Sequence, residues 1–226
     1  MKLRSGHQPR WRAERLRSYA VTKTVGICGG SGAGKTTLTR HILNHLGPEQ
    51  VSVIAFDSYY RDQGHLTVEQ RRVVNYDHPD SLDHDRFVAD VESLRSGRHV
   101  SVPVYDFNTH TRTEQVVVVE PRPVVIVEGI LLLSFEQIAE RLDLAVYIDV
   151  PEDVRLERRI KRDVAERGRE PDDVRRQFAA TVAPMHNQFV EPFRHRAHRT
   201  VELHEEYQPV AEEVVSRVLR TEPGNR

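Results

Sequence analysis

Gly29-Gly30-Ser31-Gly32-Ala33-Gly34-Lys35-Thr36 has the spacing G-x-x-x-x-G-K-[ST], which wraps backbone N–H groups around a polyphosphate. Glycines let the chain turn those N–H groups inward. The N-terminus of a following helix adds partial positive charge behind them. In such a loop Lys35 reaches the outer phosphates and the Thr36 hydroxyl ligates Mg²⁺. The motif has this meaning only between a strand and a helix. Residues 24–28 read as a short apolar strand before it, and residues 37–43 as an amphipathic helix after it. A glycine-rich turn with no ligand is the bland alternative, but it gives Lys35 and Thr36 no task. The expected ligand is a nucleoside triphosphate.

Phosphoryl transfer asks for charge neutralisation and an acceptor hydroxyl held in line. Glu128 follows the apolar run 124–127, where a strand-end carboxylate can face Thr36 across a metal; a surface ion pair is the other reading. Asp57 closes a second apolar run, 51–56, and can accept a proton from an acceptor hydroxyl or simply form a turn. Arg155, Arg159 and Arg162 lie at i, i+4 and i+7, one face of a helix, with Arg158 beside them and Arg167-Gly168-Arg169 beyond. The apolar stripe of that helix, Leu156, Ile160 and Val164, is narrow. It can therefore swing as a lid that brings guanidiniums to phosphates, or lie as a solvated face paired with Glu152, Asp153, Glu157 and Asp163. Tyr59, Tyr60, Tyr76, Asp77, His78, Tyr105, Phe107 and His110 combine flat rings with polar groups and could line an acceptor pocket. Singly, each is as easily a core or capping residue.

Elements must carry these groups to one place. Apolar runs at 51–56, 124–127 and 144–150 alternate with helical patterns at 82–96, 152–167, 172–189 and 210–219, the last but one bent by Pro184. A short helical piece is expected at 67–72 and a further strand at 200–203. Such alternation predicts an α/β fold, a mostly parallel sheet with helices on both faces, whose ligands collect beyond the carboxyl ends of the strands. Runs at 100–104 and 116–119, joined by a polar loop, predict a β-hairpin inserted at about 98–120. The arginine-rich lid spans about 152–176. Residues 21–226 form a single expected domain, and the arginine-rich residues 1–20, with Trp11, a disordered tail.

The chain of 226 residues carries a formal charge of −1 and one cysteine, Cys28. The balance gives no overall signal for a polyanionic partner, so neither nucleic acid nor membrane is expected. No apolar run is long enough for a membrane span. A single cysteine excludes an intrachain disulfide and fits a reducing, cytoplasmic setting.

Six motifs follow in order: residues 29–36; Phe56-Asp57-Ser58-Tyr59-Tyr60; Asn75-Tyr76-Asp77-His78-Pro79-Asp80; Pro103-Val104-Tyr105-Asp106-Phe107 with His110-Thr111-Arg112; Val127-Glu128-Gly129-Ile130-Leu131; and Arg158-Arg159-Ile160-Lys161-Arg162-Asp163 with Glu166-Arg167-Gly168-Arg169. Over residues 24–196 the chain resembles the uridine–cytidine kinase family of P-loop proteins. The resemblance implies a P-loop NTPase-type fold and transfer of a phosphoryl group from ATP or GTP, with Mg²⁺, to the 5′-hydroxyl of uridine or cytidine. It implies that Gly29, Gly30, Ser31, Gly32, Ala33, Gly34, Lys35, Thr36 and Thr37 cradle the nucleotide, clamped by Arg162 and Arg167. Asp57 is then the catalytic base, helped by Lys35 and Arg162, and Thr36 and Glu128 hold the metal. Asp77 takes the ribose hydroxyls and Tyr105 and His110 the base, with Arg159, Arg169 and Gln177 on the substrate side. A homo-oligomer, tetrameric by family analogy, is also implied. A phosphoribulokinase-like sugar-phosphate kinase and a nucleotide-dependent binding protein without turnover are the competing readings. The chain departs from the family at Phe56, where Gln is usual, and at residues 197–204, where the family reads Ala-Asp-(apolar)₃-Pro-x-Gly.

Overall fold

The structure is a computed structural model that describes residues 22–219; the basic tail expected over residues 1–20 lies outside them. Strands β1 (Lys23–Cys28), β2 (Val51–Ala55), β5 (Val124–Gly129), β6 (Leu144–Asp149) and β7 (Arg199–Glu202) form one sheet. Their spatial order is β2-β5-β1-β6-β7, every pairing parallel. β5 shows why these runs are continuously apolar. Val124 and Ile126 join Val25, Ile27 and Leu38 in the core on one face, while Val125 and Val127 join Phe56, Phe87 and Tyr147 on the other. A parallel strand covered on both sides has no polar face to show.

Helix α1 (Lys35–Leu46) buries Leu38, Thr39 and Ile42 against the sheet and stops at Gly47, which has φ +90°. On the opposite face α3 (His84–Arg95) buries Phe87, Val91 and Leu94. Phe56 meets Phe87 at 4.4 Å between ring centroids, both fully buried, and burying each such side chain contributes about 1.5–3 kcal/mol. The departure at residue 56 is therefore a core residue. β2 ends at Ala55, and Phe56–Tyr59 form a 3₁₀ turn rather than the strand expected through residue 56. That turn carries Asp57 past the edge of the sheet.

α2 (Val68–Arg72) opens on a capping box between Thr67 and Gln70. The hairpin pairs β3 (Val100–Asp106) with β4 (Thr111–Val119). β4 begins well before the Val116 that the apolar run predicts. Its first half is polar and so gives no apolar signal, and Arg112 within it donates to the carbonyls of Tyr59 and Tyr60 and pairs with Asp83. A short helix, α4 (Glu136–Ala139), precedes β6.

α5 (Glu152–Arg167) starts after Pro151 and closes on Gly168. The single helix expected over 172–189 is instead α6 (Pro171–Gln177), a π turn at Phe178–Val182 and α7 (Ala183–Phe189). Pro184 has no N–H to continue the helical ladder, and the wider turn beside it absorbs the mismatch. The last helix, α8 (Tyr207–Leu219), packs along α1.

Candidate active site

Four parallel strands end on one edge of the sheet, and each delivers a functional group there. β1 leads into the glycine loop, β2 into Asp57, β5 ends on Glu128 and Gly129, and β6 leads through Pro151 into α5. Gly29, Gly32 and Gly34 of the loop all sit at positive φ, and two of them show why geometry requires glycine there. Gly32 has φ +83° and a Cβ there would lie 2.3 Å from the Arg155 carbonyl oxygen; Gly34 has φ +107° and a Cβ would lie 2.3 Å from the Tyr207 hydroxyl. Gly34 caps α1, and its carbonyl accepts from the N–H groups of Thr37 and Leu38. Lys35 Nζ donates to the carbonyls of Gly29 and Gly30, both at 3.1 Å. Burial pulls the Lys35 ammonium below its ordinary pKa, while the carboxylates of Asp57 and Glu128 oppose that shift, so both acids act on the same ammonium.

Thr36 Oγ1 donates to Glu128 Oε1 and Thr39 Oγ1 to Oε2, each at 3.2 Å. Burial pushes the Glu128 carboxyl up and Lys35 pulls it back. A hydroxyl and a carboxylate converging beside a phosphate loop suit Mg²⁺, which takes few protein oxygens and completes its shell with phosphates and water. No cluster of three or more His, Cys, Asp or Glu able to hold a metal occurs among the described residues. Thr39 has no signal in the motif; its spacing of i+3 from Thr36 puts it on the same helix side. Cys28, under the loop, is buried and its thiol pushed up to about 12 by that burial, an inert packing residue.

A cavity of about 630 Å³ opens beside the loop. It brings together Ser31, Asp57, Asp77, Tyr105, His110, Arg159, Arg162, Arg167, Arg169 and Gln177 from the expected set, with Tyr60, Tyr76 and Phe107. Asp57 Oδ1 is buried there and has no hydrogen-bond partner. Asp77 accepts from Thr181 Oγ1 at 2.9 Å; burial raises its carboxyl and Arg159 works against the rise. His110 sits at φ +54° in the hairpin turn and stacks on Tyr76, centroids 4.4 Å apart and rings 10° from parallel. Burial, then Arg169 and Arg167, hold its imidazole below the usual value, so the neutral ring offers one donor and one acceptor. The buried hydroxyls of Tyr76 and Tyr105 influence each other without reaching hydrogen-bond geometry.

α5 arrives with its charged face inward. Arg159 Nη1 donates to Ser31 Oγ at 2.8 Å and Nη2 to Gln177 Oε1 at 3.2 Å, and Arg169 Nη1 donates to the same Gln177 oxygen at 2.7 Å. Arg155, Arg159 and Asp163 are its buried residues, whereas Val164 is exposed. The apolar stripe is thus not what anchors this helix; hydrogen bonds to the glycine loop are. Arg155 donates to the Val150 carbonyl and lies against Phe178, and Arg158 donates to the Ala33 carbonyl. Both brace the loop from outside the cavity. Two candidates from the aromatic set also fall elsewhere. Tyr59 is fully buried and donates to Asp90, and His78 packs on Phe189.

The model of the Phosphoribulokinase / Uridine kinase family matches residues 24–208. The chain belongs to that family. It is 45% identical over 173 residues to a "Uridine kinase" of Staphylococcus haemolyticus, covering 76% of this chain and 84% of that one. It is 46% identical over 167 residues to a "Uridine kinase" of Streptococcus pneumoniae, covering 74% and 79%. Among solved structures, a "Possible Uridine Kinase" from Bacillus stearothermophilus aligns with TM-score 0.55 at 17% identity over 83% of this chain and 97% of that one. A D-glycerate 3-kinase from Cryptococcus neoformans aligns with TM-score 0.59 at 17% identity over 86% and 92%. These last two are likenesses of fold. Residues 197–204, where the sequence reading expects a departure from the resembled family, carry β7 and an ion-paired turn. His198 Nδ1 accepts from the Ala145 N–H at 2.9 Å, and Arg199 pairs with Glu205 and Glu213.

Proposed function

We propose that this kinase transfers the γ-phosphoryl group of ATP or GTP to the 5′-hydroxyl of uridine or cytidine, in pyrimidine salvage in the cytoplasm. One observation carries the reading. The unpaired Asp57 oxygen belongs to a cavity that Ser31 of the phosphate loop lines together with Tyr76, Tyr105 and His110. A buried acceptor without a partner costs about 1–3 kcal/mol, and the hydroxyl of a bound nucleoside would satisfy it.

In this scheme the glycine loop and Lys35 orient the triphosphate, and Asp57 accepts the proton of the attacking hydroxyl. Asp77 takes the vicinal ribose hydroxyls, while the Tyr76–His110 stack and Tyr105 receive the flat base. Arg162 and Arg167 neutralise charge on the transferring group. Thr36 and Glu128 would hold Mg²⁺, which when bound screens the phosphate oxygens. A sugar phosphate has no flat base for the aromatic wall, which disfavours a phosphoribulokinase-like acceptor. The proposed assembly is a homo-oligomer, a tetramer by family resemblance, read by light scattering.

The test is a nucleoside panel with Mg·ATP and Mg·GTP, with ribulose 5-phosphate included. UMP or CMP is the expected product. No product from any nucleoside, or turnover of the sugar phosphate alone, rejects the reading.

A further inference from the structure

We propose that Asp163 is a positioning residue: its carboxylate gathers four arginines into one unit that spans the donor and acceptor halves of the cavity and so couples the binding of the two substrates. The identity of those substrates rests on the function proposed above; the arrangement does not.

The Asp163 side chain is 0% exposed. Its Oδ1 accepts from Arg162 Nε at 2.9 Å and Nη2 at 2.8 Å, and lies 3.5 Å from Arg167 Nη1. Its Oδ2 accepts from Arg169 Nη1 at 3.3 Å and lies 3.6 Å from Arg159 Nε. The main chain of the same residue takes part as well. The Asp163 carbonyl accepts from the N–H groups of Gly168 and Arg169, so the helix end that carries Arg167 and Arg169 folds back around it. Burial alone would raise this carboxyl, but Arg162 and Arg159 outweigh it and hold it below the usual range. It is charged at neutral pH.

The four guanidiniums divide between the two halves. Arg162 acts electrostatically on Lys35, and Arg159 is bonded to Ser31, both on the phosphate side. Arg159 also offsets the burial of Asp77 and Arg169 holds Gln177, both on the acceptor side, while Arg167, assigned above to the transferring group, lies 4.5 Å over the Phe107 ring of the acceptor wall and so faces both halves. One negative group among four positive ones leaves the unit strongly cationic while stopping its members from repelling one another apart. A triphosphate that draws Arg162 inward must then move, through the shared carboxylate, the guanidiniums that face the nucleoside. Neither the lid's basic spacing nor the phosphate motif assigns Asp163 this role.

The experiment uses the full chain and Asp163→Asn, which keeps shape but turns an acceptor pair into a mixed group facing cations. Affinity for a magnesium complex of a non-hydrolysable ATP analogue is measured by calorimetry with and without saturating uridine, together with kcat. In the native protein uridine should tighten the analogue by roughly 5–150-fold, the usual span of a coupling between sites. In Asp163→Asn the tightening should fall below about twofold, with kcat at least about tenfold lower because the reacting groups are misplaced. Loss of stability alone lowers the active fraction and leaves the coupling factor of the folded protein unchanged. Native coupling and kcat in the variant overturn the proposal. If the variant does not fold, Arg167→Lys and Arg169→Lys keep charge but lose the planar fork, and each should reduce coupling; coupling unchanged in both also overturns it. If the native protein turns over no nucleoside, the proposed reaction fails, and Asp163 is judged on the analogue alone: a several-fold loss of affinity sustains its role, equal affinity rejects it.

Discussion

Asp57 and Glu128 both act on Lys35, yet their surroundings differ. Glu128 has two threonine hydroxyls on its oxygens, and Asp57 has a buried oxygen with nothing on it. The first arrangement suits a group that stays put, the second a group that takes a proton. Asp57→Asn should therefore lower kcat by about 10²–10⁴-fold while binding of nucleotide and nucleoside, followed by calorimetry, changes little. Equal losses of affinity would move Asp57 from chemistry to binding. Glu128→Gln should raise the Mg²⁺ concentration for half-maximal rate at least about tenfold, the scale seen when metal sites lose an anionic partner; an unmoved Mg²⁺ curve would place the metal elsewhere. These residues are legible in sequence because motif spacing marks them. Thr181 on Asp77 and Thr39 on Glu128 are not, since each meets its partner across more than 80 residues of chain.

Among the elements, the hairpin and the lid face each other across the cavity. The hairpin is a separate two-stranded sheet, tied down by Arg112 and by the Arg71 Nη1 bond to the Thr109 carbonyl at 2.8 Å. His110, at its turn, stacks on Tyr76. His110→Ala should raise the nucleoside KM and leave the ATP KM within about twofold, since stacking under a base is worth roughly 1–3 kcal/mol; initial rates with each substrate varied would separate the two. A parallel rise in both constants would show that the hairpin shapes the whole site. Helical spacing predicts α5 to the residue, but not which face it buries. The arginines go inward because the glycine loop presents carbonyls and a hydroxyl that only tertiary contact puts within their reach.

At the scale of the whole molecule, a titratable ring lies beside the loop. His186 is 8% exposed with an unpartnered Nδ1. Burial, then Arg155 and Lys35, push its pKa from 6.5 down to about 4, even though Glu191 lies 3.7 Å from Nε2 and favours the charged ring. The unfolded chain therefore binds this proton first as pH falls. The contribution is complete above pH 6.5 and drains away as pH drops toward about 4. Between pH 7 and pH 5 this amounts to about 2 kcal/mol. Urea unfolding at both pH values should show that loss, and His186→Gln should remove most of the difference whatever its own stability; the same difference in both proteins would assign acid sensitivity to other groups. No helix of the described residues is long and apolar enough to cross a membrane.

The order of strands and helices, the phosphate loop, the carboxylates at two strand ends and the run of lid arginines follow from sequence alone. Their signals are local: periodicity, a glycine pattern, a charge at the end of an apolar run. Tertiary structure decided the rest. Tyr59 became core rather than pocket, Arg155 and Arg158 became braces of the loop, and Asp163 became the centre of a cationic cluster. Each of these outcomes depends on which groups meet when distant segments pack, and residue spacing along the chain carries no record of such meetings.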